Sequence, residues 1–220
     1  MNVALIIEIL PAFMAAALVT LKLSLLSIAI AAAIGFLLNA VWQMAPRAFA
    51  APYRAFIWIV RGTPFLAQLF VLYFGLPQIG ISFTASQATV IGLSIYGSAY
   101  FAEIFRASWQ AISPGQIEAG RAFGMRPLQV LMNIQAPQAV RLAIPMLTNQ
   151  AILILKESSV ASIITVPELT KTAGTVVAET FSYAEPYILL GLIYWGLALA
   201  LAATGKAMER VTALKPYQGV

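Results

Sequence analysis

The chain has 220 residues, 61% of them hydrophobic and 10% charged, with mean hydropathy +0.87 and a net charge of +5. A soluble domain carries about 25% charged residues, so most of this surface suits lipid and no sizeable hydrophilic domain fits. Cys, His and Asp are all missing, which excludes disulfides, imidazole bases and the usual metal-ligand sets, and with them most catalysis. Loop lysines and arginines account for the positive charge, so the expected partner is a membrane and not a nucleic acid.

Residues 1–11 are apolar apart from Glu8 and lack the basic start of a cleaved signal, so they are expected in the mature protein. A first span is predicted over 12–42, longer than the roughly 20 residues needed to cross, with Lys22 reaching an interface or pairing inside the protein. A connector over 46–54 carries Arg47 and Arg54. The second span, 55–76, holds Arg61, which is costly against lipid, and Pro64, which bends or breaks the helix. After a small uncharged turn comes a third span over 85–112. Helical spacing puts Tyr96, Tyr100 and Glu103 on one face, where the tyrosines suit packing or an interface, and Glu103 and Arg106 stand one turn apart as a structural pair.

A polar stretch, 113–137, follows. Ser113 with Gln116 fits a capping box, Pro114 the first helical position and Gly124 a helix stop. Ile117, Gly120, Arg121 and Gly124 form one side of this short helix, small enough for another backbone to approach. The fourth span covers 139–166, with Pro145 expected to interrupt its first turns. Asn149, Gln150, Lys156, Glu157, Ser158 and Ser159 make its later part the most polar run at membrane depth. Gln150 and Glu157 share a face, and Asn149 and Lys156 a neighbouring one. A loop over 167–186 leads to a fifth span, 187–205, and a basic tail.

Five spans put the two ends on opposite sides. With the N-terminus outside, Arg47, Arg54, Arg121, Arg126, Arg141, Lys206, Arg210 and Lys215 face inward, while the outer loops hold Lys171 among glutamates. The positive-inside rule therefore predicts a periplasmic N-terminus and a cytoplasmic C-terminus.

Glu118, Ala119, Gly124, Ile134 and Pro137 stand at the spacing of Glu-Ala-Ala, three residues, Gly, nine residues, Ile-x-Leu-Pro. The stretch resembles the coupling loop of ABC importer permeases, with Gly120 and Ala136 departing from the pattern. Arg61-Gly62-Thr63-Pro64 and the run from Tyr96 to Gly120 resemble the polar amino acid subgroup, which serves histidine, glutamine, arginine and opines. Lys156-Glu157-Ser158-Ser159-Val160 is similar to that subgroup's Lys-Asp-Thr-Ser-Leu.

The resemblance covers nearly the whole chain. It implies an all-α membrane protein with the type I importer fold, the 220 residues forming a single transmembrane domain. It implies two ATP-binding subunits, a second permease chain, identical or homologous, and a periplasmic amino acid-binding protein. The bacterial inner membrane is the expected location. Coupling is expected from Glu118, Ala119, Gly120, Arg121 and Gly124. The pathway is expected to use Gln150, Glu157, Ser158 and Asn149, with the alternative that Glu157 pairs with Lys156 only to hold the fold. No cofactor is expected on this chain. ATP and magnesium belong to the partner ATPase, since Thr204-Gly205-Lys206 lacks the glycine spacing of a phosphate loop. The rival reading, a self-contained secondary transporter, normally needs more spans and internal repeats.

Overall fold

A computed structural model describes residues 2–44 and 46–212. Four helices in it are long and apolar enough to cross a membrane, and a bent helix pair passes the same test when its two halves are taken together. The first, α1 (Val3–Met44), begins well before the expected 12 and is about 63 Å long at 1.5 Å per residue. Pro11 lies inside it without ending it. The stretch expected as a connector is helical. It forms α2 (Pro46–Gly62), which meets α3 (Phe65–Phe70) and its continuation to Ile79 at a bend of 103°. Pro64 stands at that bend with extended backbone, so the segment expected as one helix is two.

The third span, α4 (Ala85–Gln110), opens with a capping box. Thr84 Oγ1 accepts from the Gln87 amide, and Gln87 Oε1 accepts from the Thr84 amide. Next come α5 (Pro114–Ala122) and α6 (Pro127–Val130). A π turn, Leu131–Gln135, joins α6 to α7 (Ala136–Glu157), which continues as a 3-10 turn to Ile164. Pro145 lies within α7 and does not interrupt it. The fourth span therefore starts earlier than the expected 139.

The stretch expected as a loop, 167–186, contains α8 (Leu169–Thr180). Its Leu169, Ala173, Val176 and Val177 are buried at helical spacing, and the first three pack against Ile9, Phe13 and Ala16 of α1 and Leu189 of α9. The last span, α9 (Ala184–Thr212), is longer than the expected 187–205 at both ends. Lys215 lies outside the described residues.

Lipid tails are as apolar as leucine, so helices in a membrane hold together by close packing and not by expulsion of water. The α1–α4 pair shows how closely. A methyl added at Gly35 would stand 2.7 Å from Phe101 Cβ, and one at Gly97 would stand 2.9 Å from Ala31 Cβ. Ser27 Oγ donates to the Val90 carbonyl across the same seam at 3.4 Å. Around this seam Leu23, Leu69, Leu93, Phe101, Ile154 and Ile164 form the main core, which draws on α1, α3, α4 and α7.

Candidate coupling segment and transport pathway

α5 stands apart from the spans, between the end of α4 and the start of α6. The predicted stop is present. Gly124 has φ +77°, its amide donates to the Arg121 carbonyl at 2.9 Å, and the Met125 amide donates to the Gly120 carbonyl at 3.1 Å. These two bonds form a Schellman closure, and its left-handed residue is the one glycine tolerates without strain.

The expected start is different. Ser113 makes no capping bond, and the Gln116 side chain, which would supply the other half of the box, is turned away: its Oε1 accepts from Gln138 Nε2 at 2.7 Å. The small face is different too. Gly120 is buried against this chain's own Ile134, whose Cδ1 would lie 2.7 Å from an added methyl. Small size at Gly120 therefore seats α5 on the segment before α7. The exposed side carries Glu118, Ala119, Arg121 and Ala122, with Phe123 89% exposed beside them.

The polar run of α7 splits as its spacing predicts. Gln150 is buried, and its Nε2 has no hydrogen-bond partner among the described residues. Glu157, two turns on, is half-buried. Ser158 is buried with its hydroxyl donating to the Leu155 carbonyl at 2.7 Å. Asn149 and Lys156 are exposed on the outside of the bundle. Lys156 and Glu157 form no ion pair within 4.0 Å. Lys156 also borders an open cleft of about 730 Å³, lined mainly by Tyr187, Leu190, Tyr194 and Trp195 of α9.

Two polar clusters were not legible in full from the sequence. In the first, Arg106 holds Glu103 through Nε at 2.9 Å and Nη2 at 2.8 Å, as the spacing predicts. Tyr53 of α2 also donates to Glu103 at 2.8 Å, and Arg61 approaches it to 3.8 Å while lying 5.0 Å from the centre of the Tyr100 ring. Three side chains from two helices thus meet on one carboxylate.

The second cluster surrounds Glu168, which is fully buried at the start of α8. Its carboxylate accepts from the Lys171 amide at 2.6 Å, the Thr170 amide at 2.9 Å and the Tyr194 hydroxyl at 3.1 Å. Burial pushes this carboxyl above its usual range, against the downward pull of those three donors. The helical spacing from Leu169 to Val177 was the signal that could have marked this N-cap.

A family model for the inner membrane component of binding-protein-dependent transport systems matches residues 31–212. The chain belongs to that family. Its relatives include the arginine transport system permease protein ArtQ of Bacillus subtilis, 36% identical over 86% of this chain and 89% of that one. The nopaline transport system permease protein NocM of Agrobacterium fabrum is 33% identical over 88% and 85%. A crystal structure of an amino acid ABC transporter superposes with a TM-score of 0.89 at 34% identity, covering 96% of this permease and 98% of that chain. The expected fold class is thereby established: an all-α, multi-pass permease with the architecture of ABC importers. Such a chain is the membrane subunit of its transporter.

Proposed function

We propose that this permease carries a polar amino acid, or a derivative such as an opine, inward across the bacterial inner membrane. Two ATPase subunits, holding ATP and magnesium, drive it, and a periplasmic binding protein delivers the cargo. The observation that carries this reading is α5. Its back is locked onto Ile134 through Gly120, while Glu118, Ala119, Arg121 and Phe123 face away from the chain that holds them. A rigid, outward-facing helix suits docking to a partner whose closure moves it as a body. Glu118, Ala119, Gly120, Arg121 and Gly124 would transmit that motion.

The second permease chain would cover the face carrying Asn149 and Lys156, because polar groups at span depth are costly against lipid. The 730 Å³ cleft beside Lys156 belongs to the same face. Facing inward, Gln150, Glu157 and Ser158 would line the pathway, where the free Gln150 amide and the Glu157 carboxylate suit an ammonium or amide group of cargo.

The test is uptake of labelled arginine and glutamine into proteoliposomes holding the permease, its ATPase and its binding protein. Uptake that requires ATP and binding protein is expected. Uptake by the permease alone on an ion gradient would replace this reading with a secondary transporter.

A further inference from the structure

Near the end of the bundle that carries α5, helices α1, α2 and α4 enclose a cavity of about 220 Å³. At a liquid volume of ~30 Å³ per water, it holds about seven waters, enough for a headgroup fragment but not for a whole lipid. Trp42 of α1, Tyr53, Arg54 and Trp58 of α2, and Glu103 and Arg106 of α4 line it. Trp42 stands two residues before the end of α1, and Arg106 one turn before the end of α4. The cavity therefore lies toward the end of the bundle at which α4 leads into α5, the end where a headgroup layer would meet it.

Its electrostatics select an anion. Its lining holds Arg54 and Arg106 against the single carboxylate of Glu103, an excess of one positive charge, and Arg61, outside the lining, approaches that carboxylate to 3.8 Å. Arg106 spends Nε and Nη2 on Glu103 and one Nη1 hydrogen on Gln110, so two of its five N–H groups stay unused. Arg54 is exposed and makes no side-chain hydrogen bond or ion pair among the described residues. Guanidinium groups with open N–H pairs match phosphate oxygens in geometry as well as charge.

The surroundings select a lipid over a soluble anion. Trp58 is 79% exposed and Ile59 65%, so the outer face of α2 beside Arg54 is apolar. Indole rings at this level are typical anchors between headgroup and acyl chain. Basic pockets between spanning helices are also the common form of anionic-lipid sites.

We propose that this cavity binds the phosphodiester of an anionic membrane lipid, with Arg54 and the free N–H groups of Arg106 on its oxygens and Trp42 and Trp58 beside its glycerol. The lipid lies outside the cargo pathway and braces α2 against α4, close to the bend at Pro64. The site depends on the membrane-spanning architecture alone and not on which amino acid is carried.

The experiment is native mass spectrometry of the purified full-length permease with dioleoyl phosphatidylglycerol or dioleoyl phosphatidylcholine as probe. The wild type is expected to retain the anionic lipid in preference to the zwitterionic one. Arg54→Gln should lower that retention about fivefold, the factor expected from one basic residue near an anionic surface. Trp58→Ala should lower it independently, Arg54→Lys should keep part of it, and Arg210→Gln should change nothing. Equal retention of the two lipids, or full retention by Arg54→Gln, would overturn the proposal. Displacement of the lipid by millimolar inorganic phosphate would also overturn it, by placing a soluble anion in the cavity.

Discussion

The Tyr53 hydroxyl donates to Glu103 at 2.8 Å, although fifty residues separate the two in the chain. The bond ties α2 to α4 through a carboxylate that Arg106 already holds with two hydrogen bonds. Tyr53→Phe should therefore be mild, a loss of about 1 kcal/mol for one hydrogen bond. Glu103→Gln should cost more, about 2–3 kcal/mol, because it leaves two guanidinium groups without their shared partner. Melting of the purified permease in detergent, followed by size-exclusion chromatography, checks the order. A larger loss in Tyr53→Phe would contradict it.

Gly124 has φ +77° and open space around its missing side chain, so strain and not collision decides its substitutions. Gly124→Ala should destabilise the closure of α5 by about 1 kcal/mol. Gly124→Trp adds bulk on the docking side. It should insert and assemble normally while lowering ligand-stimulated ATP hydrolysis. Full transport by Gly124→Trp in reconstituted vesicles would remove α5 from the coupling path.

The proposed orientation is open to single-cysteine labelling, because the chain has no cysteine of its own. Thr175 on α8 and Gln116 on α5 are both exposed. Thr175→Cys should react with an impermeant maleimide in intact spheroplasts, and Gln116→Cys only after lysis. The reverse pattern would invert the topology and place α5 on the wrong side for an ATPase.

Glu157→Gln addresses the pathway. With binding protein present, uptake is expected to fall or to shift among amino acids, while basal ATP hydrolysis and assembly stay unchanged. Loss of assembly would make Glu157 a structural group. Unaltered uptake of several amino acids would take it out of the pathway.

Glu168 carries a pH dependence with a definite sign. Its folded-state pKa is raised by burial, so its contribution to stability is complete below the ordinary carboxylate range and is lost as pH rises through the raised value. Melting temperatures of the wild type and Glu168→Gln should therefore diverge as pH rises above the ordinary carboxylate range, with the wild type losing ground. A constant difference would mean that the three donors cancel burial, and a wild type that gains ground as pH rises would mean that they outweigh it. Glu168→Ala should be worse at every pH, because it strands two amides and the Tyr194 hydroxyl.

What the sequence reveals here follows interaction range. The spans are legible because hydropathy is local, and the Glu103–Arg106 pair because its partners are one turn apart. The same holds for the stop at Gly124, where backbone chemistry needs no neighbour. Tyr53 and Arg61 on Glu103 were not legible, since only the folded bundle brings them there. The missing reciprocal half of the box expected at Ser113 has the same cause: Gln138, twenty-two residues on, claims the Gln116 side chain. α8 was overlooked because Lys171 and Glu179 give it the composition of a loop, although its apolar spacing is helical.

From Pro127 to Ile164 the backbone is helical without a break, 38 residues or about 57 Å. The segment on which α5 is seated and the polar run of α7 are thus two ends of one rod. A push at one end reaches the other as rotation or translation of a stiff body, with no loop between them to absorb it. The rod yields most easily at the wide turn from Leu131 to Gln135, where the ladder carries π bonding. Deleting one residue there would let the turn tighten to an ordinary helix and would turn Ile134, and with it α5, relative to α7. Shortening this turn is therefore a way to change how α5 is aimed while leaving every residue of the polar run in place.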